Sequence, residues 1–138
     1  METKVTFEVA SAEVNGWLDY KKVSDKKRET YKDAIEALTD AVVTGRLVID
    51  ADTKAITQVL LFPITDTKGT VVTDKLVFKP RITQMELKNR MTGVKPGDGD
   101  GRIMAYAAAL TDSAAGILGK LDTEDYALVQ SITVFFLG

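Results

Sequence analysis

The sequence contains neither cysteine nor histidine among its 138 residues. The chain therefore cannot form disulfide bonds, and it cannot build the Ser-His-Asp or Cys-His sets used in nucleophilic catalysis. The usual zinc ligands are missing, as is the side chain most often used as a general base near neutral pH. We therefore expect no catalytic residues, no cofactor and no metal site. The lack of cysteine also fits a reducing compartment.

Long apolar runs and a strong charge of one sign are missing as well. No run approaches the roughly 20 apolar residues that a membrane helix needs. The first ten residues, METKVTFEVA, carry charges where a signal peptide keeps its apolar stretch. The formal net charge is −2, which does not indicate a dedicated nucleic-acid binder. We expect a cytoplasmic protein with neither a membrane nor a nucleic acid as partner.

The best-specified stretch runs from Gln58 to Arg90 and predicts a β-hairpin followed by a helix. Two apolar runs, which end at Pro63 and Pro80, flank a polar turn, so residues 58–80 read as two antiparallel strands. Thr83 and Glu86 then form a T-x-x-E capping box, which predicts a helix over residues 84–91.

The N-terminal part predicts one strand and one long helix. Residues 4–9 alternate between apolar and polar side chains, which indicates a strand, and Asn15-Gly16 indicates a turn. The only tryptophan, Trp17, is interpreted as a core anchor. Residues 24–44 have helical periodicity, with Ser24 as N-cap and Gly45 as terminator. The start of this helix is basic, which predicts a solvated face and leaves a phosphate-binding patch as the alternative (Lys21, Lys22, Lys26, Lys27, Arg28 and Lys32).

The remaining segments complete an α+β fold. Residues 46–49 and 56–64 predict paired strands, and residues 94–102 predict a mobile connector. Helices are predicted over 102–110 and 113–119, and a last helix over 122–136 has Asp122 as its cap and Asp125 at the box position. We predict a single domain over residues 1–138, in which a small antiparallel sheet packs with four or five helices.

The C-terminal helix is apolar nearly all round from Ile132 onward. A solvent-exposed tail would not normally read VFFLG, so this segment is either part of the core or an interface. For the second case, we predict partner binding or self-association through five side chains on this helix (Tyr126, Val129, Ile132, Phe135 and Phe136).

Four aspartates leave a different class of function open. Asp50 and Asp52 lie in one turn, and Asp98 and Asp100 lie in the glycine-rich connector. They suggest a cation site or a carboxylate-based enzyme, but none of them matches the spacing of an EF-hand loop. Because aspartate is also favoured in turns for local hydrogen bonding, a structural role is the preferred interpretation.

From about residue 60 onward, the order of these signals resembles the tail assembly chaperones of long-tailed phages. The resemblance rests on a strand ending in Phe62-Pro63-Ile64, the turn at Gly69, a strand over residues 76–80 and the capped helix with Glu86-Leu87. An alanine-rich helix and a final helix opened by LDTED follow. The match covers about 80 of the 138 residues and leaves residues 1–57 as an N-terminal extension.

The resemblance implies a binding protein of the host cytoplasm and not an enzyme. Members of this family coat the tape measure protein and keep its long hydrophobic helices soluble while tail tube subunits polymerise around it. The implied partners are the tape measure protein, a tail tube subunit and a second copy of the chain. The alternative within the same tail module is a structural tail component, such as a tube or adaptor protein.

Overall fold

The computed structural model describes residues 2–137 and shows an α+β fold in which helices pack against a three-stranded antiparallel sheet. Seven helices and three strands occur within the described residues, so the sequence analysis predicted too few helices. In chain order the elements are α1 (Phe7–Tyr20), α2 (Asp25–Thr30), α3 (Lys32–Val43), β1 (Leu47–Ile49), β2 (Ile56–Thr65), β3 (Val71–Phe78), α4 (Gln84–Lys88), α5 (Gly99–Thr111), α6 (Ala115–Leu118) and α7 (Thr123–Thr133).

The sheet confirms the predicted hairpin and the predicted pairing of the strands before it. The strand order is β1-β2-β3, and Gln58 of β2 pairs with Leu47 on one side and with Leu76 on the other. Alternate residues of β3 are buried, with Leu76 and Phe78 facing the helices while Val77 faces outward. One face of the sheet thus carries the core, as the period-two pattern predicted.

A single hydrophobic core draws on both halves of the sequence. Trp17 of α1 is 1% exposed and is among the largest buried side chains, which confirms its interpretation as a core residue. Leu38 of α3, Phe78 of β3, Leu110 of α5 and Ile132 of α7 lie in the same cluster. The N-terminal extension is therefore packed into the same core as the rest of the chain.

The strand predicted at residues 4–9 is wrong, because helix α1 begins at Phe7 within this segment. Thr6 is the N-cap, and its hydroxyl accepts a hydrogen bond from the Val9 backbone N–H at 3.2 Å. The alternating apolar side chains that suggested a strand are largely exposed, whereas the buried positions further on follow helical spacing (Ala10, Val14, Trp17 and Leu18). The predicted turn at Asn15-Gly16 is also wrong, since both residues lie inside α1.

The long helix predicted over residues 24–44 is divided in two at Tyr31. Ser24 does cap α2, and its hydroxyl accepts a hydrogen bond from the Lys27 backbone N–H. Tyr31 has φ −109° and ψ 32°, outside helical values, and its ring packs edge-on against Phe135 at 5.8 Å between centroids. Gly45 follows α3 with φ +79°, a conformation that favours glycine, and so ends the helix as predicted.

Three boundaries in the C-terminal half also differ from the predictions. Helix α4 ends at Lys88, although the predicted capping box of Thr83 and Glu86 is present. Helix α5 begins at Gly99, because the Asp98 side chain caps it within the segment predicted to be a connector. Helix α7 ends at Thr133, before the two phenylalanines that were assigned to it.

Candidate functional site

The five residues predicted to bind a partner lie mostly inside the chain. Val129 and Ile132 are 0% exposed and Phe135 is 3% exposed, whereas Tyr126 and Phe136 are half-buried. The VFFLG segment is predicted to be either part of the core or an interface. Its part within the described residues belongs to the core of a single chain. The three fully buried side chains are therefore not available to a partner in this fold.

An aromatic cluster holds the C-terminal segment in place. The Trp17 ring meets Phe135 edge-on at 5.8 Å between centroids, and it meets Phe136 in a tilted arrangement at 6.0 Å. Edge-to-face aromatic pairs add to the stabilisation from buried area alone. The two phenylalanines thus join α1 to the end of α7.

Two lysines of the basic stretch also hold this segment, so these two side chains do not form the solvated face that was predicted. The Lys27 ammonium donates hydrogen bonds to the Leu137 carbonyl at 2.8 Å and to the Phe135 carbonyl at 3.4 Å. The Lys21 nitrogen lies 3.3 Å from the centroid of the Phe136 ring, in cation–π geometry. Burial and the nearby charges of Arg81 and Lys27 lower the pKa of Lys21 to about 8.

The lowered pKa of Lys21 predicts a stability change with pH. Between pH 8 and the unfolded value near 10.5, the unfolded chain binds more protons, so the free energy of unfolding should rise with pH. We expect a gain of about 1 kcal/mol, because solvent screens this half-buried amine. Urea unfolding of wild type and Lys21→Met from pH 7.5 to 9.5 measures the effect. Identical pH profiles for the two proteins would contradict the prediction.

Asp125 is the principal polar contact between α7 and the sheet. Its side chain is 0% exposed and its two carboxylate oxygens accept hydrogen bonds from the backbone N–H groups of Leu61 at 2.9 Å and Phe62 at 3.0 Å. The predicted capping-box role of Asp125 is therefore wrong, although Asp122 is the N-cap as predicted. The Gln58 side chain donates to the Asp125 backbone carbonyl and adds a further link between α7 and β2.

A bulge in β2 explains why a carboxylate is needed there. Between the pairs Val59–Lys75 and Ile64–Thr73, the residues 60–63 of β2 lie opposite the single residue Asp74. Such a bulge interrupts the ladder and leaves backbone N–H groups without strand partners. Because Asp125 lies 64 residues from Leu61 and 63 residues from Phe62 along the chain, no local sequence signal could have identified the contact.

Arg46 lies beside this carboxylate and brings a positive charge into the same region. Its Nη2 atom is 3.8 Å from Asp125 Oδ1, and its side chain is 19% exposed. Its Nε and Nη2 atoms are buried without a hydrogen-bond acceptor among the described residues, and Gln58 Oε1 is buried there without a donor. Arg46 therefore contributes mainly charge to the Asp125 site and little directional hydrogen bonding.

The outer face of the sheet carries the most clearly defined apolar surface. Val48 and Val77 both pair with Thr57, so the three residues form one row across the sheet, and Val59 follows Thr57 on the same face. Val48, Val59 and Val77 are 55%, 45% and 49% exposed. We call these three valines the outer sheet patch. Ten large apolar side chains are exposed, and six of them lie on the strands. Three of these six form the outer sheet patch, and the remaining three lie nearer the hairpin tip (Phe62, Val71 and Val72).

The aspartates considered for a cation site are used for local structure or lie apart. The Asp50 carboxylate accepts hydrogen bonds from the backbone N–H groups of Thr53 and Asp52, which lower its pKa. Asp98 caps α5. Among the described residues, no group of three or more acidic side chains is arranged to hold a metal ion.

Comparison with known proteins gives no relative. No family model, no curated protein and no solved structure matches the chain significantly. Within residues 2–137, no helix combines the length and the apolar character needed to cross a bilayer.

Proposed function

We propose that this protein is a phage tail assembly chaperone that holds the tape measure protein through the outer sheet patch. The observation that carries the proposal is the row of exposed β-branched side chains on a sheet whose other face packs against helices. A surface of this kind can receive the apolar stripe of an amphipathic helix without any catalytic group. The order of motifs from residue 60 onward supports the assignment to this family.

The proposed setting is the host cytoplasm, with the tape measure protein as the main client and the tail tube subunit as a second contact. Self-association through α7 and the residues that follow it belongs to the same proposal. Since Val129, Ile132 and Phe135 are buried, such a contact would use the exposed parts of Tyr126 and Phe136.

Replacing the three valines of the outer sheet patch should remove the binding of the tape measure protein while preserving the fold. Threonine has nearly the shape of valine and a similar strand preference, so Val48→Thr, Val59→Thr and Val77→Thr together remove apolar surface and keep the strands. We expect the soluble fraction of a co-expressed tape measure protein to fall several-fold. The measurement is the amount of client that co-purifies with wild type and with the triple variant.

A matched control removes exposed apolar area elsewhere. Val9→Thr on α1 together with Met85→Gln on α4 changes two side chains that are 46% and 66% exposed and lie on helices outside the patch. This variant should hold the client as well as wild type does. If the triple variant keeps as much tape measure protein in solution as wild type does, the role of the patch is refuted.

The alternative function, a structural tail component, predicts that the protein is present in purified particles. Mass spectrometry of the particles decides between the two functions.

A further inference from the structure

A second surface, on the helical side of the molecule, is a groove between α3 and α7. It has a volume of about 360 Å³. Its walls are built from small side chains at helical spacing, with Ala37 and Ala41 on α3 and Ala127 and Ser131 on α7. Small residues on two neighbouring helices allow a third helix to pack closely, at the 8–10 Å axial distance that is usual for helix pairs. The small side chains therefore leave room for a further helix to approach α3 and α7.

The rim of the groove is acidic. Asp40 and Glu124 line it and are both exposed, and neither takes part in an ion pair among residues 2–137. Lys32, the first residue of α3, is the one cation on the two helices, and residues 33–45 and 121–137 contain neither lysine nor arginine. Of the described residues that line the groove, Arg46 alone is a cation, and it lies close to Asp125.

The position of Asp40 makes its charge costly for the fold. Asp40 lies in the last turn of α3, where the helix dipole disfavours a negative side chain. A charge that opposes helix stability and has no ion-pair partner in the described part of the chain is well suited to an intermolecular contact.

Within residues 2–137, none of the helices α1, α2, α5 and α7 has a free face that fits the groove. Its exposed lysines near α2 belong to a six-residue helix without a buried or apolar face. The apolar faces of α1, α5 and α7 are already packed in the core. The fitting occupant is therefore a helix from another protein, with alanine or other small apolar residues on the contact face and lysine or arginine beside it.

We infer that the α3/α7 groove binds a cationic amphipathic helix of a partner protein. Packing of small residues would set the depth of the bound helix, and the two carboxylates would set its orientation by charge complementarity. The groove is separate from the outer sheet patch, so this inference does not depend on the proposed chaperone function.

The test uses two labelled synthetic peptides, which share one alanine- and leucine-rich helical face. One carries lysines beside that face and the other carries glutamates. Fluorescence anisotropy with the full-length protein should show binding of the lysine peptide only, and higher salt should weaken it. No binding of the lysine peptide up to roughly millimolar concentration, or equal binding of both peptides, would overturn the inference.

Two kinds of variant locate the binding site. Ala127→Phe should fill the groove, and the double variant Asp40→Lys with Glu124→Gln should remove the acidic rim. Each of these two proteins should bind the lysine peptide with an affinity at least about tenfold lower than wild type. Asp40→Lys should not unfold the protein, because it improves the charge at the end of α3. The matched control is Asp74→Lys on the sheet, which should bind like wild type. Equal affinities for all variants, or a dimer in sedimentation that Ala127→Phe dissociates, would contradict binding of a partner helix.

Discussion

Asp125→Ala should lower the free energy of unfolding by about 3–5 kcal/mol. The substitution leaves the backbone N–H groups of Leu61 and Phe62 without an acceptor and removes the carboxylate beside the largely buried Arg46. Each loss is costly, because water does not freely replace a partner at a fully buried site. Urea unfolding, followed by circular dichroism, measures the change. Asp125→Asn keeps one carbonyl oxygen and should cost less than alanine.

Two controls separate the buried contact from an ordinary helix cap. Asp122→Ala removes the N-cap of the same helix and should cost only about 1 kcal/mol. In an Arg46→Met background, Asp125→Ala should cost less than in wild type, because no buried cation is left unpaired. If Asp125→Ala lowers the free energy of unfolding no more than Asp122→Ala does, the Asp125 carboxylate does not stabilise the contact with β2.

Phe135→Ala should destabilise the single chain by about 3–5 kcal/mol, the range found for truncated buried phenylalanines. Phe135 is 3% exposed and its ring contacts both Trp17 and Tyr31. The variant should therefore lose stability even in dilute solution, and its unfolding midpoint should not depend on protein concentration. Unfolding by urea at two protein concentrations measures both quantities.

The neighbouring residue provides the matched control. Phe136 is half-buried and lies under the Lys21 ammonium, so Phe136→Ala should cost only about 1–2 kcal/mol. If Phe135 instead served an interface between chains, its replacement would change the oligomeric mass and leave the stability of the monomer nearly unchanged. That result would restore the interface role first considered for this segment.

Local sequence signals predicted the structural elements that depend on interactions between residues close together in the chain. The caps at Ser24, Thr83 and Asp122 each depend on a side chain that reaches a backbone N–H at most three positions away. The hairpin depends on the alternation of Leu76 and Phe78 with polar or exposed neighbours. These features were correct because short-range hydrogen bonding and the period-two geometry of a strand operate before tertiary contacts form.

The errors arose where a pattern needed a distant partner. Residues 4–9 alternate between apolar and polar side chains as a strand does, but a strand also needs a neighbouring strand to pair with. Here the cap at Thr6 and the helical spacing of the buried residues that follow favour a helix instead. The break at Tyr31 is accompanied by its packing against Phe135, which lies more than 100 residues further on. The apolar segment after α7 has the composition of either a core or an interface, and its packing against Trp17 and Tyr31 decides for the core.

The candidate surfaces were likewise set by tertiary structure. The outer sheet patch exists because helices cover one face of the sheet only, and the groove exists because α3 and α7, far apart in sequence, lie side by side with small residues facing out. By itself the sequence determined the absence of thiol and imidazole chemistry, the helix caps, the hairpin and the α+β class. The tertiary structure decided which apolar residues are buried, because burial depends on what packs against a side chain and not on its own identity.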